Sequence, residues 1–283
     1  MIGVFDSGFG GLTVLASLLE RLPGYDYLYL GDSARAPYGT RSFDAIFEFT
    51  KQSVEFLFQE GCPLVVLACN TASARALRNL QQQWLPSAYP DRRLLGVVRP
   101  SAEALAGLPP GVFGARAPES TVTGDVAVLA TPGTIASDSY RLELEKLAPG
   151  LRLAQVACPL WVPLVEAGEL VGPGVDHFLH RYLDPLLARP RPPERILLGC
   201  THYPLLYGGI RAVVPREIDV ITQGPIVAER LADWLARHPE METRLGKRGG
   251  RRFVTTDDPG WFATQGARIL NAPMSATRVR LAG

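Results

Sequence analysis

Lysine is nearly missing from this 283-residue chain: of 29 basic residues only Lys51, Lys146 and Lys247 are lysines. A reaction that carried its substrate as a Schiff base would have to use one of those three. Cysteine and histidine are sparse too, four of each, with no CxxC pair and no His spacing that closes a ligand set. A zinc site therefore has little to be built from, and His177 and His180, at i, i+3, read as a solvent-facing helix turn. Four cysteines without a secretory start predict reduced thiols rather than a disulfide framework. No apolar run approaches the ~18 residues of a spanning helix, and MIGVFDSGFGG has neither a basic start nor an apolar h-region. The expectation is a cytoplasmic protein that does not engage membranes. A net charge of +1 offers no general attraction to nucleic acid, and the one basic knot, GKRGGRR at 246–252, reads as a solvated loop.

What is present is apolar: 47% of residues are hydrophobic and 20% charged, enough for a large core in two domains. Short β-branched and aliphatic runs alternate with longer helical patterns, the signature of βαβ crossovers and an α/β fold with a mostly parallel sheet. Strands are expected near 2–5, 26–30, 64–68, 94–98, 126–130, 152–157, 195–199, 218–221 and in RFVTT after Arg251. Helices are expected near 11–21, 42–59, 72–84, 100–106, 137–147, 174–188, 225–237 and 259–270. The stretch 107–125, rich in Gly, Pro and Ser/Thr, reads as an exposed loop.

An internal echo runs through the strand ends. IGVFDSG at 2–8 resembles VAVLATPG at 126–133, LYLGD at 28–32 resembles AQVACP at 154–159, and LVVLACNT at 64–71 resembles RILLGCTH at 195–202. Two similar α/β halves follow. Ligands in open parallel sheets bind beyond the carboxyl ends of strands, which is where Asp6, Cys69, Thr131, Cys158 and Cys200 fall.

Cys69 and Cys200 stand where a strand hands over to a turn and helix, a setting that can bring a thiol, ordinarily near pKa ~8.5, within range of neutral pH. Either alone would read as a small buried hydrophobe. Matched in two halves, they suit inversion at a carbon bearing an acidic hydrogen, in which one group removes a proton and the other delivers one to the opposite face. His202 is placed to assist Cys200 and Asp6 to assist Cys69. FDSGFGG at 5–11 does not satisfy GxGxxG, because Thr13 takes the third glycine position; its turn instead lets backbone N–H groups approach a small anion. Ser7, Asn70, Thr71 and Thr201 add neutral donors, so a small carboxylate is the natural ligand.

With FDSGFGG at 5–11, GDSARAPYG at 31–39, ACNTAS at 68–73, ATPGT at 130–134, CPLWVPLVEAGE at 158–169 and GCTHYPLL at 199–206 assembled in this order, the chain resembles the glutamate racemases of the aspartate/glutamate racemase family. The resemblance implies a cofactor-independent enzyme that interconverts L- and D-glutamate, with the D form destined for peptidoglycan and hence the cell wall and cell shape. It implies Cys69 and Cys200 as proton carriers for the D and L enantiomers respectively, Asp6, His202 and Glu166 as assisting groups, and substrate contacts at Asp6, Ser7, Tyr38, Gly39, Asn70, Thr71, Thr201 and His202. It also implies two doubly wound domains related by a pseudo-two-fold, the first from 1–97 plus 211–283 and the second from 98–210, with the site between them. No metal is implied, and a homodimer is compatible. Racemisation of aspartate or a hydantoin is the nearest alternative, and a carboxylate-binding protein without catalysis the alternative from another class. Three departures stand out: Thr222-Gln223 where Asp-Ser is common, a long 107–125 loop, and Arg99 where an acidic residue is common.

Overall fold

A computed structural model describes residues 1–108 and 122–281. Two sheets organise it, and every strand pairing in them is parallel. The first contains β1 (Ile2–Asp6), β2 (Tyr27–Gly31), β3 (Leu64–Leu67), β4 (Arg93–Gly96), β9 (Arg251–Thr255) and β10 (Thr277–Arg278), in the order β10-β9-β2-β1-β3-β4. The second contains β5 (Gly124–Ala130), β6 (Leu151–Ala157), β7 (Arg195–Gly199) and β8 (Asp219–Ile221), in the order β6-β5-β7-β8. The order β2-β1-β3-β4 is therefore repeated as β6-β5-β7-β8. The three sequence echoes fall on equivalent strands of the two sheets.

Both faces of each sheet are covered, which is why the central strands read as unbroken apolar runs rather than alternating ones. In β3, Leu64 and Val66 turn to the large core that also holds Ala127, Leu129, Ile196 and Leu198 of the second sheet, while Val65 and Leu67 turn to a second core against the helix Phe43–Gln59. The outer face of the second sheet packs Val126, Val128 and Leu197 against the helices Val98–Leu105 and Ser139–Leu147. Period-two alternation thus divides each strand between two cores.

Several expectations are corrected. The helix foreseen over 72–84 starts at Asn70, because the Cys69 sulfur caps it, and is interrupted: Asn70–Arg75 and Leu77–Asn79 precede a π-helical turn at Leu80–Trp84. Pro86 has no N–H to return to the preceding turn, which loosens the ladder there. The helix foreseen over 137–147 runs from Ser139 to Leu147, and a short helix that was not foreseen, Pro132–Ala136, precedes it, with Asp138 between them in the left-handed region at φ 55°. Short helices at Trp161–Glu166, Tyr207–Val213 and Pro239–Glu242 were not foreseen. Arg251, assigned to a solvated loop, opens β9. β8 pairs with β7, so the second sheet runs on to Ile221. Most of the expected 107–125 loop lies outside the described residues. Among the described residues no helix is long and apolar enough to cross a membrane.

The departure at Arg99 has a structural partner set. Its guanidinium meets Glu103 at 2.8 Å and Glu143 at 2.7 Å, and Arg230 meets the same Glu103 at 3.3 Å. Glu103 is fully buried at 0% exposure, so its charge depends on these arginines. Glu103→Ala should lower unfolding free energy by about 3 kcal/mol in urea titrations, since it leaves buried positive charge uncompensated; a loss under about 1 kcal/mol would contradict this account of the pair.

Candidate active site

Cys69 lies two residues beyond β3 and Cys200 directly after β7, and both line one cleft. It is narrow, with an internal volume of about 60 Å³. From the first half, Ser7, Tyr38, Gly39, Asn70 and Thr71 join Cys69 on its wall; from the second, Glu166, Thr201 and His202 join Cys200. The sequence-predicted residues are therefore brought together, apart from Asp6. That residue is fully buried behind the wall and does not line the cleft.

Cys69 caps the helix that follows it, its sulfur accepting from the Ala72 N–H at 3.5 Å, and lies 3.7 Å from Ser7 Oγ. Both contacts favour a thiolate. Burial and the neighbouring Asp6 carboxylate act the other way and are stronger, pushing the thiol up to about 12. The expectation that this position readies Cys69 for ionisation near neutral pH is thereby corrected: desolvation outweighs the cap, and Cys69 is a protonated thiol.

Around Cys200 the balance is different. His202 Nδ1 is 3.9 Å from the Cys200 sulfur, and Nε2 is 2.6 Å from Glu166 Oε1. Burial alone would lower the imidazole, but its bonds to Cys200 and Glu166 prevail and hold it well above its ordinary value. His202 is thus an imidazolium at neutral pH. Its ring also meets the edge of Phe9 at a centroid distance of 5.3 Å.

Asp6 accepts from the Gly8 N–H at 3.0 Å and from Thr201 Oγ1 at 3.2 Å, and Thr201 Oγ1 lies 3.5 Å from His202 Nδ1. Burial raises the Asp6 carboxyl, against the pull of His202 and these donors. Asp6 and His202 are thus linked through Thr201. The glycine-rich turn serves the same packing. A Cβ at Gly10 would lie 2.5 Å from His202 Nδ1, so that position needs glycine for the imidazole to approach; and the carboxylate met by the Gly8 N–H is the chain's own Asp6.

Sequence reasoning did not foresee the contacts that hold these walls. Asp32 pairs with Arg35 at 2.6 Å, accepts from Thr256 Oγ1 at 2.8 Å, and takes a short hydrogen bond from the Tyr38 hydroxyl. Thr71 bonds Thr131 at 3.0 Å and Thr134 at 3.3 Å across the two halves. At the same junction a Cβ on Gly39 would stand 2.7 Å from Thr131 Cβ, so only glycine lets this turn seat there. Asp32 and Thr131 lie inside the motifs GDSARAPYG and ATPGT, but their partners are distant in sequence.

The Cys69 assignment has a measurable sign. Its folded value, about 12, lies above the ordinary 9.0, so the folded protein keeps this proton where the unfolded chain has lost it. That contribution is complete below about pH 9 and fades as pH rises toward 12. Between pH 8 and 10.5 the wild type should lose about 2 kcal/mol of stability relative to Cys69→Ala, read from denaturant titrations at each pH. A stability difference that does not change with pH would show that Cys69 ionises as freely folded as unfolded.

Comparison with known proteins extends this geometry. The Asp/Glu/Hydantoin racemase family profile matches residues 2–231. The chain is 41% identical over 274 residues to a glutamate racemase of Paracoccus denitrificans, covering 96% of this chain and 97% of that one. The crystal structure of the Francisella tularensis glutamate racemase in complex with D-glutamate is similar at a TM-score of 0.82 and 30% identity, covering 99% of this chain and 96% of that one. The Thermus thermophilus glutamate racemase in complex with β-chloro-D-alanine is similar at 0.79 and 34%, again covering 99% and 96%. With likeness in sequence and in structure over almost its whole length, the chain belongs to the Asp/Glu/Hydantoin racemase family and is an isomerase.

Proposed function

We propose that the chain is a cofactor-independent glutamate racemase, supplying D-glutamate for peptidoglycan and so for cell-wall biogenesis and cell shape. The observation that carries the reading is that Cys69 and Cys200, from equivalent strand ends of two sheets, line one cleft. The sheets are taken as two domains related by a pseudo-two-fold, with the substrate between them. Starting from L-glutamate, the Cys200 thiolate accepts the Cα proton, and the electron pair left on carbon takes a proton from the Cys69 thiol on the opposite face, giving D-glutamate. The His202 imidazolium, held charged by Glu166, offsets negative charge at the Cys200 sulfur. Cys69, already a thiol, is ready as the donor. Ser7, Asn70, Thr71 and Thr201 offer neutral donors to the substrate anion, with Tyr38 and Gly39 forming the adjacent wall and Asp6 steadying Thr201 from behind. Of the described residues that line the cleft none is a lysine, and no cluster of His, Cys, Asp and Glu among the described residues could hold a metal ion.

Purified, chelator-treated protein should erase the circular dichroism signal of L-glutamate and of D-glutamate, and should place solvent deuterium at Cα. Activity confined to aspartate or a hydantoin would move the substrate; no exchange at Cα would sink the proposal. Enantiomers have equal free energy in water, so kcat/KM must be the same in both directions. Cys69→Ala and Cys200→Ala should each lower it by at least about 100-fold, alike from L and from D. His202→Asn, which leaves both thiols, should cost less. A folded Cys200→Ala protein with the wild-type rate would refute the two-thiol mechanism.

A further inference from the structure

Behind the cleft wall four buried polar side chains form one network. Gln223 begins the helix Gln223–Arg237 and is 2% exposed. Its amide lies against that of Asn70, with Asn70 Nδ2 2.5 Å from Gln223 Oε1 and Gln223 Nε2 3.1 Å from Asn70 Oδ1. Gln223 Nε2 also reaches Ser101 Oγ at 2.7 Å and the Tyr140 hydroxyl at 3.0 Å. The Tyr140 hydroxyl in turn donates to Asn70 Oδ1 at 2.7 Å.

One fixed end sets the direction of every bond. Ser101 Oγ is 2.7 Å from the carbonyl oxygen of Val97, which can only accept, so the Ser101 proton is committed there and its oxygen must accept from Gln223. The Gln223 nitrogen therefore faces Ser101, and its oxygen faces Asn70. That turns the Asn70 nitrogen toward Gln223 and leaves the Asn70 oxygen to Tyr140 and Gln223 Nε2. Asn70 Oδ1 then accepts from Tyr140 and shares with the Tyr140 oxygen the second Gln223 N–H, the first being given to Ser101, whereas Asn70 Nδ2 has spent one N–H of two. Asn70 lines the cleft, and what it has left to offer is a donor.

We infer that Gln223 is a positioning residue for anion recognition: it locks the Asn70 amide so that the cleft meets an N–H, suited to a substrate carboxylate, rather than a carbonyl oxygen. This rests on the proposed action on glutamate. Flipping the Asn70 amide would set its oxygen against Gln223 Oε1, two acceptors with no proton between them. Without the Gln223 amide that penalty disappears, and Asn70 presents its oxygen for part of the time.

The test compares wild type with Gln223→Met, which keeps the length of the side chain and removes its polarity, and with Ser101→Ala, which removes the anchored end. Calorimetry gives Kd for D-glutamate, circular dichroism gives KM and kcat, and thermal melts confirm folding. Kd and KM should rise roughly tenfold in Gln223→Met, as for a lost hydrogen bond to a charged group, and by less in Ser101→Ala, while kcat changes less than about twofold. A merely structural role would lower the melting temperature and leave Kd alone. Kd within twofold of wild type in Gln223→Met, or no rise at all in Ser101→Ala should only that variant fold, overturns the inference. Wild type that binds D-glutamate but does not racemise it would end the proposed activity and leave this inference to be judged on Kd; wild type that binds no glutamate would end both.

Discussion

Inversion at carbon needs two groups that reach one atom from opposite sides, and a single parallel sheet cannot supply them easily. All its strands end on one side, and the side chains placed there face the same way. Two sheets with the same strand order, each delivering a cysteine from the strand beside its centre, meet the requirement. β3 supplies Cys69 and β7 supplies Cys200, and the large core shared by both sheets fixes the distance between those ends. Contacts such as Thr71 with Thr131 then depend on the same alignment.

Burial makes the chemistry asymmetric. Cys69, Asp6 and His202 are all almost removed from solvent, so each ionised group must be paid for by a neighbour. His202 has Glu166 for that purpose and is charged; Cys69 has Asp6 nearby and stays neutral. The two sides of the cleft thus differ in their electrostatics. Thr201, hydrogen-bonded to Asp6 and 3.5 Å from His202, links those two groups.

Much of this was legible in the sequence because it depends on local pattern. The apolar runs of β1, β3, β5 and β7 identify buried parallel strands, and the matched positions of Cys69 and Cys200 at their ends point to one site. What was not legible depends on partners far apart in the chain. Gln223 was visible as a departure at a helix start, but nothing local says that it would meet Asn70, Ser101 and Tyr140. The pairing of β8 with β7 is a matter of sheet order that a three-residue strand does not announce. The protonated state of Cys69 was misjudged for the same reason: the helix cap is local and readable, whereas burial is a property of the assembled fold. Asp6 was read as a group facing the ligand, yet the tight glycine turn folds it behind the wall.

The most direct test of the two-thiol account is a crystal structure with glutamate bound. Each sulfur should approach Cα to roughly 3–3.5 Å from opposite faces, which sets the Cys69 and Cys200 sulfurs about 6–8 Å apart with the substrate carbon between them. Both sulfurs on the same face of Cα, or the two cysteines in separate pockets, would contradict it.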